Sequence, residues 1–158
     1  MINNAREDDK QQIYHALVRL LSRREHSQKE LLRKSTQNGF ASAAVVEVIE
    51  RLIEQGLQSD LRYTEMMVRA AQLKGHGPQR LQQQLQQNGV AKSIIQQVLE
   101  GIEIDWWEMA RMAKVKKFGD AVETDLKQKQ KQQRFLVGRG FTFEQINYAI
   151  NAEPPSDA

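Results

Sequence analysis

The stretch from Arg69 to Val90 reads R-A-A-Q-L-K-G-H-G-P-Q-R-L-Q-Q-Q-L-Q-Q-N-G-V and joins two helical patterns. Gly75 and Gly77 interrupt the first pattern. Pro78 suits the first turn of the next helix, where an N–H group has no helical partner in any case. That second helix is predicted to stop at Asn88-Gly89, a helix C-terminal signal. The stretch therefore predicts a helix, a tight turn and a second helix.

The turn in this stretch is a candidate anion-binding site. Free N–H groups and the helix dipole favour a phosphate or an acidic protein surface at a helix N-terminus. Lys74, His76 and Arg80 stand around the turn and would add side-chain donors. The same residues also fit an ordinary helix connection with solvated cations. Spacing alone favours the ordinary connection and leaves the anion site open.

The sequence Asn88-Gly89-Val90 at the end of this helix is repeated in similar form at Asn38-Gly39-Phe40 and Arg139-Gly140-Phe141. The three glycines are spaced 50 and 51 residues apart. Apolar residues recur at the same offsets after each copy: Val45, Val48 and Ile49, then Ile95, Val98 and Leu99, then Ile146, Ala149 and Ile150. Each copy follows one further helical pattern. The repeat predicts three tandem three-helix units, each with a small core that stacks on its neighbour.

We therefore predict an all-α fold without strands. The three helix-turn-helix-like repeats are expected at residues 9–57, 58–103 and 104–152, followed by a disordered tail at 153–158. A mean hydropathy of −0.64 indicates much exposed helix surface, so we expect an elongated, curved array.

Several helix starts are predicted from capping patterns. Capping boxes are expected at Ser27-x-x-Glu30, at Asp105-x-x-Glu108 and at Thr142 with Gln145, and Ser42 is expected to cap the third helix. The eighth helix is expected to run from about Val122 to Val137.

Composition excludes several classes of protein. The chain of 158 residues has no cysteine, which excludes disulfides and thiolate metal sites and suits the cytoplasm. It has no apolar run near the roughly 18 residues of a membrane span, and its N-terminus is polar and acidic, unlike a signal peptide. His15, His26 and His76 are far apart, which argues against metal. Without a phosphate-binding loop or a nucleophile motif, neither an enzyme nor a cofactor is expected.

Positive charge is concentrated in two stretches although the net charge is only +3. Residues 62–92 hold five cations and one anion, and residues 111–139 hold nine cations and three anions. A polyanionic partner, either nucleic acid or a protein–nucleic acid filament, is the simplest explanation.

The basic residues outside the turn have competing interpretations. Arg62 and Arg69 are seven residues apart and share a helix face, where exposed interaction is expected, whereas Tyr63 is expected in the core. The polar run 127–134 is either a solvated helix or a surface that follows phosphates, and Lys114, Lys116 and Lys117 would extend such a surface. Of Trp106 and Trp107, one is expected in the core.

The ordered series of motifs resembles the RecX family of bacterial regulators of the RecA recombinase. The resemblance rests on Gly56-Leu57, Asp60-x-Arg62-Tyr63, Arg69-x-x-x-x-Lys74-Gly75-x-Gly77-Pro78-x-Arg80-Leu81 with Leu85, and the segments around 105–106, 116–119 and 131–141. Gln58-Ser59 and His76 depart from the family pattern, in which an apolar–acidic pair and an aromatic ring stand at these positions.

The resemblance implies a protein that binds RecA and its filament on single-stranded DNA, and that inhibits recombinase, ATPase and co-protease activity by filament capping or groove binding. That role belongs to DNA repair, recombination and the SOS response. Such a protein is expected to be a cytoplasmic monomer, with single- or double-stranded DNA as a further contact. The expected contact residues are Arg62, Arg69, Lys74, His76, Arg80, Lys116, Lys117, Lys129, Lys131, Arg134 and Arg139.

Two other functions remain open at this stage. The first is a sequence-tolerant nucleic-acid-binding helical module that acts without RecA, as the charge distribution also allows. The second is a sequence-specific helix-turn-helix reader. This second alternative is weak because the helices after the turns carry few donors for base edges.

Overall fold

The protein, described here from a computed structural model, is all-helical over the described residues 2–154, with side chains described from residue 9 onwards. The described chain contains no strand and forms nine helices: α1 (Ile2–Arg23), α2 (Gln28–Gln37), α3 (Ser42–Glu54), α4 (Asp60–Lys74), α5 (Pro78–Gln87), α6 (Lys92–Glu100), α7 (Trp106–Phe118), α8 (Leu126–Arg139) and α9 (Phe143–Asn151). The all-α prediction is confirmed. Of the predicted disordered tail, residues 155–158 lie outside the described part.

The helix endings α2, α5 and α8 share one backbone geometry. Gly39, Gly89 and Gly140 follow these helices with φ angles of 93°, 76° and 94°, a left-handed conformation that favours glycine. In each copy the N–H of the next residue donates to the carbonyl five positions earlier, at 3.1, 3.0 and 3.2 Å. The sequence repeat therefore corresponds to a repeated hydrogen-bonded helix ending.

Two of the three predicted capping boxes are confirmed in full. Ser27 with Glu30 and Thr142 with Gln145 form complete capping boxes. At α7 only half of the box forms: Asp105 accepts from the N–H of Glu108, but the Glu108 carboxylate pairs with Arg111 instead.

Two predicted helix starts are wrong. Helix α3 already includes Ser42, so Ala41 occupies the capping position and no side chain caps the helix. Helix α8 begins at Leu126 rather than near Val122. Its start is delayed because the Glu123 carboxylate accepts from the N–H groups of Thr124 and Asp125, at 3.1 and 3.0 Å, and Asp125 then acts as the N-cap. Side chains that bind nearby backbone groups compete with helix formation in this way.

The chain divides into two compact units, and α4 and α5 contribute to both. The first unit runs from the N-terminus to Met66 and includes Leu85–Glu100. Its core is formed by α1, α2 and α3 and contains the following buried residues: Ile13, Leu17, Leu31, Val45, Val48, Ile49 and Leu52. The repeat positions after Gly39 are thus core positions, as the periodicity predicts.

The second unit comprises Met67–Gln84 and the chain from Gly101 onwards. Its core lies between α7, α8 and α9 and contains the following buried residues: Ala110, Leu136, Phe141, Ile146, Ala149 and Ile150. Partly buried Met109, Ala113 and Phe135 pack against this core. Phe135 and residues of α7 therefore have one side on the core and another side available for a site.

A buried polar network supports the first unit. Arg24 pairs with Glu30 at 2.9 Å, and the N–H of Ser27 donates to the same carboxylate. Burial opposes ionisation of Glu30, but the hydrogen bonds from Arg24 and Ser27 outweigh it and lower the pKa of this carboxyl. Tyr63 is 1% exposed and its hydroxyl accepts from Asn88 at 2.8 Å, which confirms the expected core position.

Among the described residues, no helix combines the length and the hydrophobicity that crossing a membrane requires.

Candidate functional site

Two motifs from distant parts of the sequence meet in the second unit. The N–H of Gly77 donates to the carbonyl of Arg139 at 2.7 Å, and the N–H of Gln79 donates to the carbonyl of Gly140 at 2.9 Å. The start of α5 is therefore capped by the carbonyl groups that end α8. The positive N-terminal end of the α5 dipole therefore lies beside the negative C-terminal end of the α8 dipole, which is a favourable arrangement.

The capping contact narrows the anion-binding hypothesis that the sequence left open. That hypothesis placed free N–H groups at the start of α5. The N–H groups of Gly77 and Gln79 are not free, because both already donate to protein carbonyls. An anion near this turn would therefore depend mainly on the side chains around it.

The turn contact requires glycine on both sides. A Cβ atom on Gly77 would lie 2.5 Å from the carbonyl carbon of Gly140 and 2.7 Å from Cδ1 of Phe141. A Cβ atom on Gly140 would overlap Cβ of Arg80 and lie 2.7 Å from its backbone nitrogen. Most of these neighbouring atoms belong to the backbone, so the two turns are in direct backbone contact and a Cβ atom could enter only if the backbone moved.

Arg139 connects the turn contact to an adjacent groove. Its guanidinium donates to the carbonyl of Lys74 at 3.2 Å, at the C-terminus of α4. The same guanidinium lies 5.1 Å from the ring centroid of Phe135, a cation–π distance. Arg139 thus has a fixed position with its charge beside the end of α4.

We use the term cationic groove for a cavity of about 430 Å³ in the second unit. It is lined by the end of α4, by one face of α7 and by α8, with these residues: Gln72, Leu73, Lys74, Gly75, Met109, Met112, Ala113, Lys116, Lys117, Phe135 and Arg139. Residues 109, 112, 113, 116 and 117 follow the helical period and form one stripe along α7. The groove brings together four of the predicted contact residues.

The electrostatics of the cationic groove favour an anion. Its described lining contains Lys74, Lys116, Lys117 and Arg139 and no carboxylate. Nearby His76 is half-buried, and burial lowers its pKa, with the charges of Arg80, Arg139 and Lys74 acting in the same direction. A positive charge on His76 is therefore disfavoured, and the charge of the site comes from the lysines and Arg139.

The remaining predicted contacts are more dispersed. Arg80 is half-buried beside the turn and donates to the carbonyl of Gly138 at 3.3 Å. Arg62 belongs to the first unit, where it pairs with Glu25 at 2.9 Å and donates to the carbonyl of Gly56 at 2.7 Å. The remaining four are not among the described residues that line the groove: exposed Arg69 on α4, and half-buried Lys129 and exposed Lys131 and Arg134 on α8.

One basic residue is not on the surface. Lys114 was expected to extend the basic surface, but it is 1% exposed and its ammonium donates to the carbonyl of Ala121 at 2.9 Å. Lys114 therefore supports the connection between α7 and α8. Trp107 is 44% exposed and packs edge-on against Tyr148, with ring centroids 5.8 Å apart.

The sequence interpretation missed the apolar half of the groove. Leu73, Met109, Met112 and Phe135 were not candidates, although Met109, Met112 and Lys116 share the helical period of α7. Such a stripe normally indicates a core face. The signal that distinguishes this face is the replacement of apolar residues by lysines at its C-terminal end.

These observations define a class of protein: an all-helical chain of tandem three-helix units whose candidate site is a cationic binding groove. The described residues contain no group of His, Asp or Glu side chains placed to hold a metal ion. Family models for the first, second and third three-helix domains of RecX match residues 14–52, 59–99 and 103–150. The chain belongs to the RecX family.

Individual relatives agree with this assignment, and a solved structure shares the fold. The chain is 40% identical to "Regulatory protein RecX" of Halorhodospira halophila, over 90% of this chain and 88% of the relative. It is 42% identical to the Vibrio campbellii protein of the same name, over 87% and 89% of the two chains. The fold is similar to a crystal structure of RecX from Lactobacillus salivarius, with a TM-score of 0.72, 21% identity and coverage of 91% and 96%.

Proposed function

We propose that this chain binds RecA and RecA filaments on single-stranded DNA, and that it inhibits their recombinase, ATPase and co-protease activities. The observation that carries the proposal is the match of all three three-helix domains to the RecX family, together with relatives named as regulatory proteins. The proposed setting is DNA repair and the SOS response in the cytoplasm.

The proposed mechanism is binding alone, without chemistry on a substrate. A protein that binds one state of the filament more tightly than another shifts the filament towards that state. Binding at a filament end would block extension, whereas binding along its groove would act on many subunits. The contacts we propose are Arg69, Lys74, Arg80, Arg134 and Arg139. The position of Lys74 and Arg139 in the cationic groove supports two of them.

The test is steady-state ATP hydrolysis by RecA on single-stranded DNA, titrated with this protein at fixed moderate salt. Inhibition well below one molecule per RecA would support the proposal and favour end-capping over coating of the filament. Absence of inhibition at every ratio, with folding verified by circular dichroism, would refute it.

A matched pair of variants links the activity to the groove. Lys116→Gln with Lys117→Gln removes two charges from the groove. Arg33→Gln with Lys92→Gln removes two charges from exposed positions outside it. The first pair is expected to need several-fold more protein for half inhibition, while the second pair inhibits like the wild type. Equal inhibition by both pairs would exclude the groove from the filament contact.

A second candidate function is a nucleic-acid-binding module that acts without RecA. The exposed cations Lys127, Lys131 and Arg134 on α8 favour it, because such residues bind phosphates without regard to sequence. It predicts tight binding to naked single-stranded DNA whose affinity falls steeply as salt is raised. Weak binding at moderate salt, combined with inhibition of RecA, would exclude it.

A further inference from the structure

Two apolar side chains of the cationic groove are largely exposed to solvent. Leu73 is 89% exposed and Met112 is 58% exposed, although both line the same cavity. Exposed apolar side chains beside partly buried Met109 and Phe135 leave apolar surface in contact with water. Apolar side chains that are exposed together in a cavity are a common feature of binding sites.

The charged side chains of the groove limit the kind of occupant. Four cations and no carboxylate line the described cavity, so an occupant that carries positive charge would be repelled. An occupant without charge would leave the lysines uncompensated. Charge complementarity therefore requires carboxylates or phosphates, and the apolar surface requires apolar groups in the same ligand.

The ring of Phe135 distinguishes between a peptide and a nucleic acid. Single-stranded nucleic acids bind through phosphate contacts combined with stacking of bases on aromatic rings. Phe135 is the one aromatic residue among the described groove residues. Its ring centroid lies 5.1 Å from the Arg139 guanidinium, 5.6 Å from the Lys117 ammonium and 5.4 Å from the centroid of the nearly perpendicular Phe118 ring. A base that stacked on this ring would compete with these neighbours.

The apolar groups that remain available are flexible aliphatic side chains. Methionine in particular adapts to apolar side chains of varied shape. A nucleic acid backbone would satisfy the cations but would leave Leu73 and Met112 exposed. A peptide that combines carboxylates with apolar side chains satisfies both.

We propose that the cationic groove binds an acidic peptide segment of a protein partner, with apolar side chains of the segment packed on Leu73 and Met112 and its carboxylates bound by Lys74, Lys116 and Lys117. This inference deepens the proposed function and rests on it for the identity of the partner. The groove itself is tested without RecA.

The experiment measures fluorescence anisotropy of a labelled synthetic peptide of alternating glutamate and leucine, titrated with the full-length chain. A labelled glutamate–serine peptide of equal length tests the apolar contribution. Labelled oligothymidylate tests the nucleic-acid alternative. The variants are Leu73→Gln with Met112→Gln, Lys116→Gln with Lys117→Gln, and the control Arg33→Gln with Lys92→Gln. Because the substituted side chains are exposed, each pair is expected to fold like the wild type.

The expected result is that the glutamate–leucine peptide binds about tenfold more tightly than the glutamate–serine peptide. The leucine–methionine pair of substitutions should remove this preference without changing the affinity for oligothymidylate. The substitutions at Lys116 and Lys117 should weaken binding of the glutamate–leucine peptide by about tenfold at low salt, whereas the control substitutions should leave this affinity unchanged.

Two results would overturn the proposal. One is equal affinity for the two acidic peptides, or peptide affinity that the Leu73 and Met112 substitutions leave unchanged. The other is that the substitutions at Lys116 and Lys117 weaken only the binding of oligothymidylate, which would make the groove a nucleic-acid site. Failure to inhibit RecA despite specific peptide binding would refute the proposed function and leave the groove assignment standing.

Discussion

Replacing Gly140 by alanine tests the turn contact on which the candidate site depends. Gly140 has a φ angle of 94°, and a Cβ atom there would overlap Arg80 and approach its backbone nitrogen. Left-handed backbone destabilises a non-glycine residue by about 1–2 kcal/mol. Overpacking of a tight contact adds about 1–3 kcal/mol. We therefore expect Gly140→Ala to lower the free energy of unfolding by about 2–5 kcal/mol.

Two other glycines provide matched controls. Gly39 has the same repeat position and a φ angle of 93°, but its Cβ would meet no atom within 4 Å. Gly39→Ala is thus expected to lower stability by only about 1 kcal/mol, since the lost freedom of the unfolded chain partly offsets the strain. Gly138 lies inside α8 with open space around it, so Gly138→Ala should raise stability by about 0.5–1 kcal/mol.

Urea unfolding followed by far-ultraviolet circular dichroism measures these differences. Gly77→Ala should be destabilising as well, although the φ angle of Gly77 is not positive, because its Cβ would overlap the facing turn. The double variant should lose less than the sum of the two single losses, since both substitutions disrupt one contact. The reasoning is refuted if Gly140→Ala destabilises the protein no more than Gly39→Ala.

Further predictions concern the buried network of the first unit and its pH dependence. The lowered pKa of Glu30 means that its contribution to stability is present above the ordinary value of 4.5 and is lost as pH falls through the folded-state pKa. Glu30→Gln should therefore destabilise the protein by about 1.5–3 kcal/mol at pH 7. It should also reduce the loss of stability at acid pH, as measured by urea titrations at several pH values. Burial raises the pKa of Tyr63 to about 12, so its contribution is present below pH 10 and is lost as pH rises towards 12. Tyr63→Phe should remove that alkaline dependence and, because the Asn88 amide loses its acceptor, destabilise the protein by about 1 kcal/mol near neutral pH. An alkaline unfolding profile that is identical in the variant and the wild type would contradict the assignment to Tyr63.

The local part of the fold was predictable from sequence because it depends on neighbouring residues. A left-handed glycine ends a helix through hydrogen bonds to carbonyl groups of the same helix, and so the three repeated endings could be identified from local sequence. The start of α8 was not, because the Glu123 carboxylate binds the next two N–H groups and delays the helix. The boundaries of the repeats and their elongated arrangement stay predictions.

The candidate site was predictable only in part, for a physical reason. Lys74, Lys116, Lys117 and Arg139 were candidates as isolated cations in basic stretches, and the structure places them around one cavity. The contact of Gly77 with Gly140 that positions two of these segments joins distant parts of the chain. No periodicity reports such a contact. The apolar half of the groove was not recognised because its residues on α7 follow the helical period that normally marks a core face.

The fixed position of Arg139 has a thermodynamic consequence for whatever the groove binds. A long cationic side chain loses up to about 2 kcal/mol of rotamer entropy when a ligand immobilises it. Arg139 has already lost much of that freedom on folding, through its bond to the Lys74 carbonyl and its position over Phe135. Lys116 is exposed and still has that freedom to lose. The same positive charge is therefore worth more to a ligand at Arg139 than at Lys116, and Arg139→Lys would exchange a pre-organised partner for one that must be ordered at each binding event.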